Sequence, residues 1–118
     1  MANILIVDDS STALQTLENV LKSEGHQVTR AEDGMKGLMK AVGKDFDLVI
    51  SDLNMPKMNG IEMTKRLRGE RPALPIFLLT TEGRQEMAKQ AKEAGATGWI
   101  TKPFKLEQLK SAIAKVTG

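Results

Sequence analysis

A chain of 118 residues, 41% hydrophobic and 27% charged, carries enough apolar side chains for one packed core, so one domain spanning 1–118 is expected. The absence of cysteine excludes a disulfide framework and a thiolate metal centre. The net charge is only +2, and the N-terminal apolar run Ile4–Val7 meets Asp8-Asp9 too soon for a signal-peptide core; a cytoplasmic protein without a membrane span is expected.

Taken in order, Ile4-Leu5-Ile6-Val7 reads as a buried strand that ends at Asp8-Asp9. Ser10-Ser11 supplies an N-cap, and Leu14, Leu17 and Leu21 follow at helical spacing until Gly25. His26, the sole histidine, has no ligand partner nearby in sequence and reads as a surface residue. Gln27 to Ala31 make a short, half-polar strand. Asp33 caps a second helix, whose apolar stripe reads as Met35, Leu38, Met39 and Val42. Leu48-Val49-Ile50 is again wholly apolar and leads into Asp52, after which Pro56 and Asn59-Gly60 demand a turn.

A helix then carries Ile61, Thr64 and Leu67, and Ile76 to Leu79 form a strand that ends at Thr80-Thr81. A helix with Met87, Ala91 and Ala94 stops at Gly95. Thr97 to Ile100 form a weak strand before Thr101-Lys102-Pro103, and the last helix aligns Leu106, Leu109, Ile113 and Val116. Most of the seven methionines fall on these stripes and read as core fillers.

Five strands alternating with five helices imply an α/β fold, a parallel five-stranded sheet with helices on both faces. Strands one, three and four are apolar and central; strands two and five are polar or short and form the edges. With right-handed crossovers the simplest order is 2-1-3-4-5, a flavodoxin-like (βα)5 three-layer sandwich. Helices one and five then cover one face, and helices two, three and four the other.

In that order Asp8, Asp9, Asp52, Thr80 and Lys102 leave the carboxyl ends of neighbouring strands, where ligands of open parallel sheets bind. Singly, each has a plainer explanation: Asp52 and Thr80 as caps, Lys102 as a surface lysine before a turn. Together they set three carboxylates side by side. At about 5 Å and an effective dielectric near 20, each like-charged pair costs roughly 3 kcal/mol. Lys102 offsets part of this, and a hard divalent cation such as Mg²⁺ would offset more.

An ionised carboxylate beside a cation can act as a nucleophile toward phosphorus without a general base. The acidic turn Val7-Asp8-Asp9-Ser10-Ser11 lacks glycine, which argues against a dinucleotide fingerprint and a P-loop. Residues 61–118 do hold eleven bases against six acids. Yet these bases alternate with acids (Arg84, Glu86, Lys89, Lys92, Glu93), as on a solvated helix face. With three Phe, one Trp and no Tyr there is no stacking platform, and no nucleic-acid partner is expected.

Asp8-Asp9, Asp52-Leu53-Asn54-Met55-Pro56 through Gly60, Thr80 and Lys102-Pro103-Phe104 together resemble the receiver domain of two-component response regulators, over essentially the whole chain. Strand order 2-1-3-4-5 is a known property of that family. Asn54, Glu82 and the lone receiver give a particular likeness to the chemotaxis regulators. The resemblance implies that Asp52 takes a phosphoryl group from a histidine kinase. It implies Mg²⁺ on Asp9, Asp52 and the Asn54 carbonyl, with Asp8 acting through water. Lys102 and Thr80 would contact the phosphoryl group, and a cis Lys102–Pro103 bond would aim the lysine.

Where the family usually has Tyr, Phe or His, this chain has Trp99, the expected switch partner of Thr80. The implied output is the surface of helix four, strand five and helix five. The implied partners are the kinase, an output protein such as a flagellar motor switch component, and a phosphatase, with the chain itself a monomer. Such a receiver catalyses its own phosphorylation and dephosphorylation but is no enzyme in the ordinary sense. A stand-alone receiver of another phosphorelay is the alternative. An Mg²⁺-dependent aspartyl-phosphate phosphatase of the haloacid-dehalogenase type is disfavoured, because it usually has Asp where this chain has Asn54, and a cap domain.

Overall fold

The computed structural model describes residues 2–81 and 85–117, with side chains for all of these but 85 and 86. Glu82 and Arg84 lie outside the described residues, as does the side chain of Glu86. The elements are β1 (Asn3–Val7), α1 (Ser11–Ser23), β2 (Gln27–Ala31), α2 (Gly34–Gly43), β3 (Leu48–Asp52), α3 (Gly60–Glu70), β4 (Ile76–Thr80), α4 (Gln85–Ala94), β5 (Gly98–Thr101) and α5 (Leu106–Thr117). All strand pairs are parallel, and the order is β2-β1-β3-β4-β5, as expected. Among the described residues no helix is long and apolar enough to cross a membrane.

Alternation along the strands splits the core in two. Ile4, Ile6, Leu48, Ile50, Phe77, Leu79 and Ile100 point to one face, where α1 (Leu14, Leu17, Leu21) and α5 (Leu109, Ile113) cover them. Leu5, Val7, Val49, Ile76 and Leu78 point to the other, against Ala41 of α2, Met63 and Leu67 of α3, and Ala91 of α4. The edge strands β2 and β5 are only partly buried. The helix starts follow from their caps: the side chains of Ser10, Asp33 and Asn59 accept the N–H of Ala13, Lys36 and Glu62. Gly25 and Gly95 take φ of 87° and 97° just beyond α1 and α4, where a Cβ would be strained.

Helix α2 departs from expectation. Its buried residues are Gly34, Gly37 and Ala41, while Met35, Met39 and Val42 are exposed and Leu38 is half-buried. The reason is distance. A Cβ on Gly34 would lie 2.3 Å from the Met58 carbonyl oxygen, and one on Gly37 would lie 2.8 Å from a Val7 methyl. The helix backbone itself packs on the sheet and the β3–α3 loop, so no large side chain fits beneath. The methionines therefore divide: Met55, Met58 and Met63 fill the core, but Met35 and Met39 do not. Leu106 at the start of α5 is also exposed, and Phe104 packs inward ahead of it. His26 is half-buried, not a free surface residue: its Nδ1 accepts the Ala2 N–H at 3.0 Å.

The close approach at Gly34 sets a test. Gly34→Ala is expected to lose about 1–3 kcal/mol, because the overlap is with a backbone carbonyl that cannot rotate away. Met39→Gln is expected to stay within about 0.5 kcal/mol of the parent. Paired denaturant melts measure both.

Candidate functional site

Parallel register brings the carboxyl ends of the strands level. Val7 pairs with Ser51, Asp52 with Leu79, and Thr80 with Thr101. The residues that follow each strand therefore converge: Asp8 and Asp9 after β1, Asp52 at the end of β3, Thr80 at the end of β4, Lys102 after β5. The chain behind Asp52 is held closely. Gly60 N–H donates to the Leu53 carbonyl at 2.8 Å, and a Cβ on Gly60 would lie 2.6 Å from the Asp52 carbonyl oxygen. Within the loop Met58 N–H donates back to the Pro56 carbonyl at 2.8 Å, with Lys57 between them at φ 69°. That is a γ-turn, costly for a side-chain-bearing residue.

Asp8, Asp9 and Asp52 each offer a carboxylate oxygen, all within 4.8 Å of one another. Asp8 is buried and its Oδ1 accepts the Ser10 N–H at 2.9 Å. Asp9 is exposed, so the cluster opens to solvent on its side. The side chain of Asp52 is 13% exposed. Lys102, from the far edge strand, reaches in: its Nζ lies 2.8 Å from Asp52 Oδ1 and 3.4 Å from Asp8 Oδ2. The Lys102–Pro103 bond is cis, and Lys102 N–H donates to the Thr80 carbonyl at 2.7 Å. Thr80 is buried at the strand end. Asn54 is exposed in the loop after Asp52. Trp99 pairs with Leu78 on β5, and its side chain lies outward, 42% exposed.

Two groups of the site are shifted from their ordinary pKa values. Burial pushes the Asp52 carboxyl up, the bond from Lys102 opposes this, and the charges of Asp8 and Asp9 add to it. For Lys102, burial works to lower the pKa, but the bond to Asp52 and the charges of Asp52 and Asp8 outweigh it, so it is raised. The carboxylate side is thus under-neutralised: three anions face one ammonium. An all-oxygen donor set with one open side fits a hard divalent cation rather than a soft metal.

The family model of the response regulator receiver domain matches residues 4–114. The chain belongs to this family. Receivers are signalling proteins, which sets the haloacid-dehalogenase reading aside. This receiver is similar to chemotaxis protein CheY-3 of Vibrio cholerae, 39% identical over 116 residues, covering 96% of this chain and 89% of that protein. It is 38% identical to the CheY homolog of Campylobacter jejuni over 119 residues, covering 98% of the chain and 92% of that homolog. The solved structure of the V. cholerae chemotaxis protein CheY4 superposes with a TM-score of 0.92 at 42% identity, covering 98% of both chains.

Of the residues singled out from the sequence, the structure brings Asp8, Asp9, Asp52 and Lys102 together; Thr80 stands at the adjacent strand end, Asn54 in the loop beyond, and Trp99 is partly exposed on β5. The close-packing role of Gly60 was not visible beforehand; Asn59-Gly60 signalled only a turn.

The raised Asp52 pKa carries a sign. The folded state holds the Asp52 proton more tightly than the unfolded chain does. The resulting stability is present at acid pH, below the unfolded pKa, and is lost as pH rises through the folded value. Asp52→Asn should therefore melt higher than the parent at pH 7, and the gap should shrink in the acid range. Thermal melts across pH check this; a gap that widens on acidification contradicts it.

Proposed function

We propose that this receiver is switched by transfer of a phosphoryl group from a phosphohistidine of a histidine kinase to Asp52. The carrying observation is Asp52 Oδ1 held 2.8 Å from Lys102 Nζ within the Asp8–Asp9–Asp52 cluster. One Asp52 oxygen attacks phosphorus, the N–P bond breaks, and an acyl phosphate forms. The carboxylate is the nucleophile as it stands, so no general base is required. Lys102 shifts from Asp52 Oδ1 to an oxygen of the incoming group and neutralises charge there. Thr80, buried at the adjacent strand end, offers its hydroxyl to the same group. Asp9, Asp52 and the Asn54 carbonyl would hold Mg²⁺, with Asp8 acting through water. When bound, the ion supplies positive charge to the phosphoryl oxygens.

The bound phosphoryl group adds charge and acceptor oxygens, and Thr80 is drawn toward them. Trp99, outward in this structure, rotates into the space Thr80 leaves beside β4. The surface of α4, β5 and α5 changes with it and meets an output partner. The named chemotaxis relatives favour an output protein of the flagellar motor switch kind, with a phosphatase ending the signal. The chain acts as one receiver unit, a monomer in the cytoplasm that speeds its own phosphorylation and dephosphorylation.

Acetyl phosphate with Mg²⁺ should add one base-labile phosphoryl group, and borohydride reduction followed by peptide mapping should place it on Asp52. Labelling at another residue overturns the assignment. Beryllofluoride with Mg²⁺, in place of the phosphoryl group, should change the fluorescence of Trp99. Asp52→Asn should abolish the change and Thr80→Ala reduce it.

Mg²⁺ at about tenfold above its Kd should stabilise the fold by about 1.4 kcal/mol. A double Asp9→Ala, Asp52→Ala variant should lose that shift in a thermal melt with and without chelator.

A further inference from the structure

Among the described residues five large apolar side chains stand exposed, and three lie on α2: Met35 (44%), Met39 (67%) and Val42 (39%). Steps of four and three residues put them in one stripe on the helix surface. Helix α2 packs inward through Gly34, Gly37 and Ala41, so the stripe faces away from the sheet. It follows β2, at the opposite edge of the sheet from β5 and Trp99. Neither the core nor the proposed phosphoryl chemistry uses it.

Along the helix itself the charges beside the stripe are of one sign, with acids only beyond its two ends. Residues 34–44 contain Lys36, Lys40 and Lys44 and no acid. Lys36 and Lys40, one turn apart, each follow a stripe methionine and flank it along one side. Their ammonium groups are positioned: Lys36 Nζ lies 3.4 Å from the Glu32 carboxylate, and Lys40 Nζ donates to the Arg30 carbonyl. Flexible, polarisable methionine is the side chain that adaptable helix-binding surfaces use.

We propose that the outward face of α2 docks an amphipathic helix of a protein partner, apolar where it covers Met35, Met39 and Val42 and acidic where it borders Lys36 and Lys40. Charge complementarity selects this occupant. Contact between α2 helices of two copies would gather six lysines and no acid from the two 34–44 segments. An anionic bilayer, being flat, would also cover Glu32 and Asp45, exposed at the two ends of α2 (59% and 92%) and paired with Lys36 and Arg71, whereas a single helix need meet only the lysine side.

The test uses a synthetic helical peptide of about 16 residues, four turns long, with Leu at i, i+3, i+4 and i+7 and Glu along the border. Its control carries Lys in place of Glu. Amide chemical shifts of the full chain should move around α2 on adding the Glu peptide, and the Lys peptide should bind at least about tenfold more weakly. A double Met35→Gln, Met39→Gln variant should lose about tenfold in affinity, and a double Lys36→Gln, Lys40→Gln variant about threefold. Met39→Lys alone, at the most exposed position, serves if the double variant folds poorly. The proposal is overturned by equal binding of the two peptides, by no binding at millimolar concentration, or by shifts centred on α4, β5 and α5. It is also overturned by self-association or phosphatidylglycerol-vesicle binding that the methionine variants abolish. Acetyl phosphate labelling of Asp52 is scored separately and bears only on the phosphoryl assignment.

Discussion

Three carboxylates and one ammonium share the carboxyl end of the sheet, where the parallel register brings the strand ends level. Asp8 follows Val7, Val7 pairs with Ser51, and Asp52 comes next on that strand. The cluster is therefore built into the backbone, and the apolar burial of β1, β3 and β4 holds it in place. Each like-charged pair costs roughly 3 kcal/mol at about 5 Å and an effective dielectric near 20. Lys102, fifty residues from Asp52, supplies one compensating charge, and burial foremost, with the charges of Asp8 and Asp9 adding to it, still leaves the Asp52 carboxyl raised despite the bond it accepts. Three carboxylates against one ammonium leave a cluster whose repulsion a hard divalent cation would relieve, open to solvent on the side of Asp9.

The rest of the molecule serves that site unequally. On one side, the loop after Asp52 is clamped by Gly60, by the γ-turn at Lys57 and by Met58, whose carbonyl rests on Gly34. On the other, Thr80 is joined to the lysine strand through its carbonyl, which accepts the Lys102 N–H at 2.7 Å. The end of β4 is thereby tied to the backbone that bears Lys102 and, three residues earlier, Trp99. One side packs closely behind Asp52; the other carries the exposed indole of Trp99.

Most of this was legible beforehand for a definite reason. An apolar run ended by a carboxylate marks both a central strand and its functional end, so β1 and β3 identified themselves together with Asp8, Asp9 and Asp52. Polarity put Gln27–Ala31 and Thr97–Ile100 at the edges, and right-handed crossovers then made 2-1-3-4-5 the simplest of the few remaining orders. Lys102 could be placed near the carboxylates by topology, but its two distances required the turn at Pro103. Trp99 was expected near Thr80, and its outward rotamer lay beyond what strand alternation in a weak four-residue strand could tell. His26 reads as a surface residue in sequence because its partner, the Ala2 N–H, is a backbone group, and backbone partners leave no trace in side-chain pattern.

Helix α2 shows why hydrophobic periodicity can select the wrong face. The pattern weighs side chains by apolarity and gives glycine no vote. Packing weighs them by the space available. Where a helix approaches a strand so closely that Val7 and Met58 would overlap a Cβ, the glycines must face inward whatever stands beside them. At about 100° per residue, Met35 stands about 100° and Met39 about 140° around the axis from Gly34 on the inner face. Both cannot face the sheet, and steric exclusion at 2.3 Å outweighs the roughly 1.5–3 kcal/mol that burying one methionine would contribute. An apolar stripe displaced outward in this way is not an error of folding. It is a surface whose composition the core did not choose.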